Sequence, residues 1–321
     1  MGVASSGAPA RISPLTLRLS PPPLEARFWA ECGTPAYAST DRWALPLSCL
    51  NLLACWSSLS FVTPSPAARL ALRAWITLMA AAALAAHALL MLAPAAYQGA
   101  RLPIAVAQRA SRSMCILACF GLSSAPSWEL MLAARGAYGV PALLQVLAIN
   151  ATTLTMQALS CSVAVCWAAP LQAATCCFAC VLSGSLARYI RSDAALASTA
   201  AAACGALARG RRAALLPFGP MVVWAPGSLA CGAGAGELLI AFFYAFACFA
   251  SVYALYEREL RLKLGFLRHA CIPTMPLPVP LAAPAVRRAA LAAAAIALAS
   301  FTAAEAASLT GGLWWPGPAA A

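Results

Sequence analysis

A long uncharged stretch is the sequence feature that most constrains the fold of this chain. Positions 136–187 contain no Asp, Glu, Lys, Arg or His. A helix that crosses the hydrocarbon core of a membrane needs about 20 apolar residues, so the stretch is long enough for two such helices. Pro170 and Gln172 lie in its second half and indicate the connection. The stretch therefore predicts two consecutive spans, over 138–160 and 171–190.

The composition of the whole chain agrees with a membrane environment. Hydrophobic residues make up 63% of the chain and charged residues only 9%, whereas an ordinary soluble domain has about 25% charged residues. With so few charges, a soluble fold would not have enough polar surface to cover its apolar side chains. We therefore expect an all-α fold, a polytopic transmembrane helical bundle located in a lipid bilayer.

The apolar runs predict about nine spans, with seven as the alternative. Two runs decide between these counts: 194–208 is short and mostly Ala, and 213–231 is interrupted by three prolines. Nine spans with a cytoplasmic N-terminus place most of the 21 Lys and Arg residues on the cytoplasmic side, as the positive-inside rule favours. The nine runs are 44–63, 74–97, 113–134, 138–160, 171–190, 194–208, 213–231, 238–256 and 289–310.

The chain divides into four parts around these spans. Residues 1–41 are polar and contain Pro and Ser, and we expect a disordered cytoplasmic tail there. Residues 42–256 form the transmembrane bundle, 257–288 a cytoplasmic amphipathic helix with a Pro-rich linker, and 289–321 the last transmembrane helix with a short C-terminal tail. The first six residues match the N-myristoylation pattern with Gly2 as the acceptor, a match that small-residue starts often produce by chance.

One predicted span carries a polar face. Asn150, Thr153, Gln157 and Ser160 are spaced by three, four and three residues, so they share one side of a helix. Polar groups in hydrocarbon need partners, and we expect this face to point at other helices or at water. It would either line a path for a solute or hold helices together through hydrogen bonds.

Two ionisable residues lie inside predicted spans, His87 in 74–97 and Glu129 in 113–134. Intramembrane ionisable groups are candidates for function. A proton relay or a haem site at His87 would need a partner, and the other histidine, His269, lies in a loop. A core histidine with satisfied hydrogen bonds, and a glutamate that reaches the membrane interface, are the alternatives.

Basic residues cluster after the eighth span. Glu257 and Glu259 each precede a basic residue by four positions, in the order that stabilises a helix. The cluster is expected to meet anionic lipid headgroups. No basic tail with interleaved aromatic residues occurs, which argues against a nucleic-acid partner. The basic residues are Arg258, Arg261, Lys263 and Arg268.

No motif in the sequence predicts a catalytic site, a metal site or a cofactor, and we expect a protein without enzyme activity. Cys177 and Cys180 have a Cys-x-x-Cys spacing, but no nearby His, Asp or Glu supplies further zinc ligands. Most of the 14 cysteines lie in apolar runs, where they act as small packing side chains. Predominantly free thiols are therefore expected.

Two functional hypotheses remain. The first is a small-solute transporter or channel subunit, in which the polar face and the Pro- and Gly-interrupted run around 217–236 contribute to a substrate path. The alternative is a non-catalytic membrane scaffold or assembly subunit, in which the same groups only hold helices together. Small residues along the helices would permit an oligomer in either case.

Overall fold

The computed structural model describes residues 9–62, 65–133, 141–160, 162–215, 231, 234–273 and 285–309. Within them the fold is all-α, apart from one antiparallel pair of two-residue strands. The strands are β1 (Arg11–Ile12) and β2 (Leu19–Ser20). The helices are α1 (Pro22–Phe28), which continues into a π-helical turn (Trp29–Gly33), α2 (Thr34–Val62), α3 (Pro66–Leu92), α4 (Pro94–Leu122), α5 (Ala125–Ala133), α6 (Ala142–Ser160), α7 (Val165–Leu182), α8 (Gly184–Ser192), α9 (Ala194–Leu215), α10 (Ala235–His269) and α11 (Ala285–Leu309).

Proline residues set the boundary between two of the long helices. α3 begins at Pro66, after Ser65, whose hydroxyl accepts a hydrogen bond from the amide of Ala68 at 3.4 Å. Proline suits a first helical turn because its missing N–H would have no partner there. α3 ends where Pro94 disfavours the helical conformation of Ala93, which has φ −140° and ψ 69°. A single residue therefore separates α3 from α4.

Four helical segments of the described residues are long and apolar enough to cross a membrane, or five if the bent pair α4–α5 is one span. The four are α3, α6, α10 and the segment Val165–Ser192, which joins α7 and α8; α4 and α5 meet at an angle of 101°. The expectation of nine spans is not confirmed. α9 is not among the candidates, and three arginines, Arg209, Arg211 and Arg212, lie in its last two turns. α11 has only a shorter apolar part, Leu291–Ala304. Most of 213–231 lies outside the described residues.

The outer surface of the bundle is apolar, whereas charged groups are buried inside it. A soluble protein has the opposite arrangement, with most apolar side chains inside and charged groups on the surface. Leucines on α2 and α3 are more than half exposed: Leu47, Leu50, Leu53, Leu70, Leu78 and Leu92. Buried charged residues include Asp41, Arg101, Arg109, Arg112, Glu237, Glu257, Glu259 and Lys263.

α10 is the central helix of the bundle. Its apolar half packs against α6, α7, α9 and α11, with Leu239, Ile240 and Tyr244 buried. Near its beginning, Gly236 lies so close to α8 that a Cβ atom there would meet Cγ2 of Ile190 at 2.9 Å. The charged half continues the same helix to His269, and the expected pairs Glu257–Arg261 and Glu259–Lys263 both form at 2.9 Å.

The described part of residues 1–41 is folded, which corrects the expectation of a disordered tail. β1, β2 and α1 lie against the charged half of α10, and α2 already begins at Thr34. Phe28 packs against Phe266 with the ring centroids 5.6 Å apart, and the amide of Ala10 donates to the carbonyl of Pro273 at 2.9 Å. The apolar groups in this segment are few, so composition alone suggested disorder. Their partners on α10 are more than 200 positions away in sequence.

Candidate functional site

Three arginines form a row on one face of α4. Arg101, Arg109 and Arg112 are buried, and Arg109 has only 1% of its surface exposed. Separations of eight and three residues keep them within about 80° on a helix. The three arginines fall between the predicted spans 74–97 and 113–134, because charge usually marks the end of a span. Residues on neighbouring helices instead hold them inside the bundle.

Arg101 pairs with Asp41 at the end of the bundle where α2 begins. Its Nε donates to Oδ2 of Asp41 at 2.6 Å, and its Nη2 donates to Oδ1 of Asp41 at 3.1 Å. The hydroxyl of Tyr97 donates to the same carboxylate at 2.8 Å, and Nη2 also donates to the carbonyl of Ser162 at 2.9 Å. This is a bidentate Arg–carboxylate pair, among the strongest hydrogen-bonded pairs in proteins.

Arg109 belongs to a network that joins α4, α6 and α7. Its Nη2 donates to Oε1 of Gln172 at 3.0 Å and to the carbonyl of Ala168 at 3.3 Å. Nε2 of Gln157 donates to the carbonyl of Arg109 at 3.1 Å and to the hydroxyl of Ser113 at 2.6 Å. These bonds fix the relative positions of three helices at the centre of the bundle.

Arg112 is only partly satisfied. Its Nη1 donates to the hydroxyls of Ser48 and Ser160, the latter at 3.3 Å. Its Nε and Nη2 are buried and have no hydrogen-bond partner among the described residues. An unsatisfied buried group of this kind is costly and is therefore uncommon in folded proteins. The open edge of Arg112 is the same Nε–Nη2 edge that Arg101 uses to bind Asp41.

A cavity of about 280 Å³ lies beside Arg112, between α2, α3, α4, α5 and α6. Apart from a few polar groups, its walls are Leu, Ile, Met, Phe, Trp, Ala and Cys side chains. Oε1 of Gln157 and Nδ2 of Asn150, two groups of this lining, have no hydrogen-bond partner among the described residues. The polar lining consists of Asn51, Arg112, Ser123, Asn150, Thr153 and Gln157.

The cavity contains three of the four residues of the α6 polar face. Asn150, Thr153 and Gln157 line it, and Ser160 accepts the hydrogen bond from Arg112. The sequence reasoning did not include Arg112. Its spacing from Arg101 and Arg109 was the available signal, because these separations repeat on one side of a helix.

The other predicted site residues lie elsewhere. His87 is half-buried on α3, and its Nδ1 has no hydrogen-bond partner among the described residues. Glu129 is exposed on α5. Neither residue lines the cavity beside Arg112. Gly2 lies outside the described residues.

Lys263, expected at lipid headgroups, is instead fully buried beneath the N-terminal segment. Its ammonium group lies 2.7 Å from Oε1 of Glu25 and 2.9 Å from Oε1 of Glu259, and it donates to the carbonyl of Leu17 at 2.7 Å. Oε2 of Glu259 also accepts from the amide of Val165 at 2.8 Å. The folded N-terminal segment covers the ammonium group, and headgroups have no access to it.

Arg258 is also directed inward. Its guanidinium carbon lies 4.3 Å from the ring centroid of Tyr37, and its Nη1 donates to the hydroxyl of Ser162 at 3.2 Å. Of the four residues expected at headgroups, Arg261 and Arg268 are the exposed ones. Contact of these two arginines with anionic headgroups stays a prediction.

The cysteines include one disulfide, between Cys204 and Cys231. The other described cysteines are free, in keeping with the expectation that free thiols predominate. No group of three or more His, Cys, Asp and Glu side chains in the described ranges is arranged to hold a metal ion.

Comparisons with protein-family models, with curated proteins and with solved structures find no match to this chain. The class is therefore defined by the fold and the site themselves. Over the ranges that the structure describes, it is an all-α protein with four or five helices long and apolar enough to cross a membrane, and with arginines buried between those helices.

Proposed function

We propose that this chain is an integral membrane protein that transports a small anionic solute through its helical bundle. The observation that carries the proposal is the open Nε–Nη2 edge of Arg112 beside a cavity. A buried cation without a carboxylate partner attracts an anion, because the attraction is strong where water is excluded.

The outer surface supports a location in the membrane. Leu70 and Leu78 of α3 are each 71% exposed, and Leu92 at its end is 86% exposed. In water, each fully buried Leu side chain would stabilise a fold by about 1.5–3 kcal/mol, and these side chains forgo that gain. In a bilayer, lipid tails cover them at no such cost.

The charges inside the bundle support an anion as the solute. Arg101 is neutralised by Asp41, and Lys263 by two glutamates. Arg112 has no ion pair with an acidic residue among the described residues, and its described side-chain partners are neutral hydroxyls. Ionisable groups inside membrane proteins commonly mark substrate and ion pathways, and here the uncompensated charge is positive.

The scaffold hypothesis makes a different prediction for the stability of Arg112 variants. If Arg112 only holds helices together, Arg112→Gln should lower the thermal stability of the protein. If Arg112 is held ready for a solute, Arg112→Gln should leave stability unchanged or raise it, because the change removes an unsatisfied buried charge. Thermal unfolding of the detergent-purified full chain shows whether Arg112→Gln raises or lowers the stability.

Uptake into proteoliposomes tests the transport proposal. We expect saturable uptake of at least one of chloride, inorganic phosphate, succinate and hexanesulfonate, above the level of protein-free liposomes. Arg112→Gln should reduce that uptake by about tenfold or more, since hydrogen bonds to charged groups contribute about 1.5–3 kcal/mol each. Arg188→Gln is the matched control, because Arg188 is exposed on α8.

Absence of saturable uptake for all four anions, from a preparation that unfolds cooperatively, would overturn the proposal. Equal loss of uptake in the Arg112 and Arg188 variants would also overturn it, since a general effect of surface charge would then explain the result.

A further inference from the structure

We infer that the cavity beside Arg112 binds the anion as the head of an amphipathic molecule, a carboxylate with an unbranched hydrocarbon body that enters from the lipid phase. This inference rests on the proposed function and names the substrate class of the same site.

The chemistry of the open edge favours a carboxylate. Nε and Nη2 lie on the same side of a guanidinium and form two parallel donors. Arg101 shows this edge in use, with both oxygens of Asp41 bound at 2.6 and 3.1 Å. Arg112 presents the same two donors, and it is 6% exposed, with no partner on that edge among the described residues. A carboxylate completes the pair in the same geometry.

The shape of the cavity favours a chain behind the carboxylate. Its lining follows α4 from Arg112 to Ser123, a distance of about 16 Å at 1.5 Å per residue. The cavity has a volume of about 280 Å³ and extends along this part of α4. The α4 residues between its two ends are Cys115, Ile116, Cys119 and Phe120, which suit hydrocarbon and offer no further group for an anion.

The position of two lining residues favours entry from the lipid. Ala54 on α2 and Ile149 on α6 both line the cavity and are exposed. The cavity therefore reaches the apolar outer surface between these helices. A molecule dissolved in the bilayer can pass its hydrocarbon body through that opening and place its head at Arg112.

Equilibrium binding of radiolabelled decanoate to the detergent-purified full chain tests the inference. Affinity, referred to the free aqueous concentration, should rise about fourfold for each methylene from butyrate upward, as about 0.8 kcal/mol per buried CH₂ implies. The rise should stop once the chain exceeds the cavity length. Arg112→Gln should weaken decanoate binding about tenfold or more, and Arg188→Gln should not change it.

A conservative variant, a cationic competitor and a phospholipid serve as controls for the binding experiment. Arg112→Lys retains the charge but loses the two parallel donors, so intermediate affinity is expected from a folded variant. Decylamine should not compete with decanoate. Equal affinities for butyrate and decanoate, or unchanged binding by Arg112→Gln, would overturn the inference. Direct binding of phosphatidic acid, with no binding of decanoate, would assign the site to a lipid headgroup and would also overturn the inference.

The outcome separates this inference from the proposed function. Decanoate binding without anion uptake would retain the site and reject transport. Anion uptake without chain-length dependence of binding would retain transport and reject the amphipathic substrate.

Discussion

At the scale of single residues, Lys263 shows how a buried charge is tolerated in this chain. It is the only lysine in the sequence, and it is completely buried between Glu25 and Glu259. The carbonyl of Leu17 accepts its third hydrogen bond, so all three ammonium donors are used. Desolvation of these charges is offset only while the set is complete.

Removal of the Lys263 ammonium group should therefore destabilise the protein by more than the complete set of three charges stabilises it. We expect Lys263→Met to destabilise the protein by about 3–5 kcal/mol, because the buried Glu259 and the half-buried Glu25 both lose their cation. Adding Glu25→Gln should recover part of this loss. Arg268→Gln, an exposed change on the same helix, should stay within about 0.5 kcal/mol of the wild type. Thermal unfolding in detergent measures all four proteins, and a mild effect of Lys263→Met would contradict the buried triad.

At the scale of secondary-structure elements, the contact between α8 and α10 depends on a glycine, Gly236, which has no side chain. A Cβ atom at Gly236 would lie 2.9 Å from Cγ2 and 3.3 Å from Cβ of Ile190. A β-branched side chain on a helix has little freedom at χ1, so Ile190 would yield only by moving α8. On the charged half of α10, by contrast, a Cβ atom at Gly265 would meet nothing within 4 Å.

The same substitution should consequently have opposite effects at the two glycines. Gly236→Ala should destabilise the protein by about 1–3 kcal/mol through overpacking. Gly265→Ala should stabilise it by about 0.5–1 kcal/mol, because Ala has the higher helix propensity. Both variants are compared by thermal unfolding of the purified protein. Similar shifts at both positions would show that α8 and α10 do not approach this closely.

The elements differ in how far sequence could predict them. The helical character of α6 and α10 followed from their apolar runs, and the spacing from Asn150 to Gln157 placed these polar groups on one face. The continuous helix α4 did not follow, because Arg101, Arg109 and Arg112 resemble the end of a span until Asp41, Gln172 and Ser48 are known to lie beside them. Such partners come from other helices, and hydropathy along one segment contains no information about them. The bend between α4 and α5 also has no counterpart in the hydropathy pattern.

At the scale of the whole molecule, the N-terminal segment and the charged half of α10 lie at the same end of the bundle. Their contacts include the Phe28–Phe266 ring pair and the Glu25–Lys263 ion pair. Arg288, near the start of α11, joins this end through a hydrogen bond to Glu257 at 2.8 Å. The N-terminal segment, the charged half of α10 and the start of α11 therefore lie on one side of the bundle.

Thiol labelling should report that arrangement. In a background without other cysteines, Leu15→Cys and the native Cys271 should react with a membrane-impermeant maleimide from the same side of the membrane. Leu15 is 84% exposed and Cys271 is also exposed, so both sites are open to the reagent. Reaction from opposite sides would be incompatible with the fold, since Leu15 lies ten residues before Glu25 and Cys271 eight residues after Lys263, and neither stretch is long enough to cross the bilayer.

The ion pair between Glu25 and Lys263 also has a consequence for biosynthesis. The two residues are 238 positions apart, so the ribosome releases the N-terminal segment long before α10 exists. During that interval Phe28 lacks its partner on α10, and the emerging chain presents apolar surface to chaperones and proteases. The contact closes only after most of the helices have been made. A chain truncated before α10 therefore keeps this N-terminal surface exposed, and cellular quality control can recognise the incomplete product there.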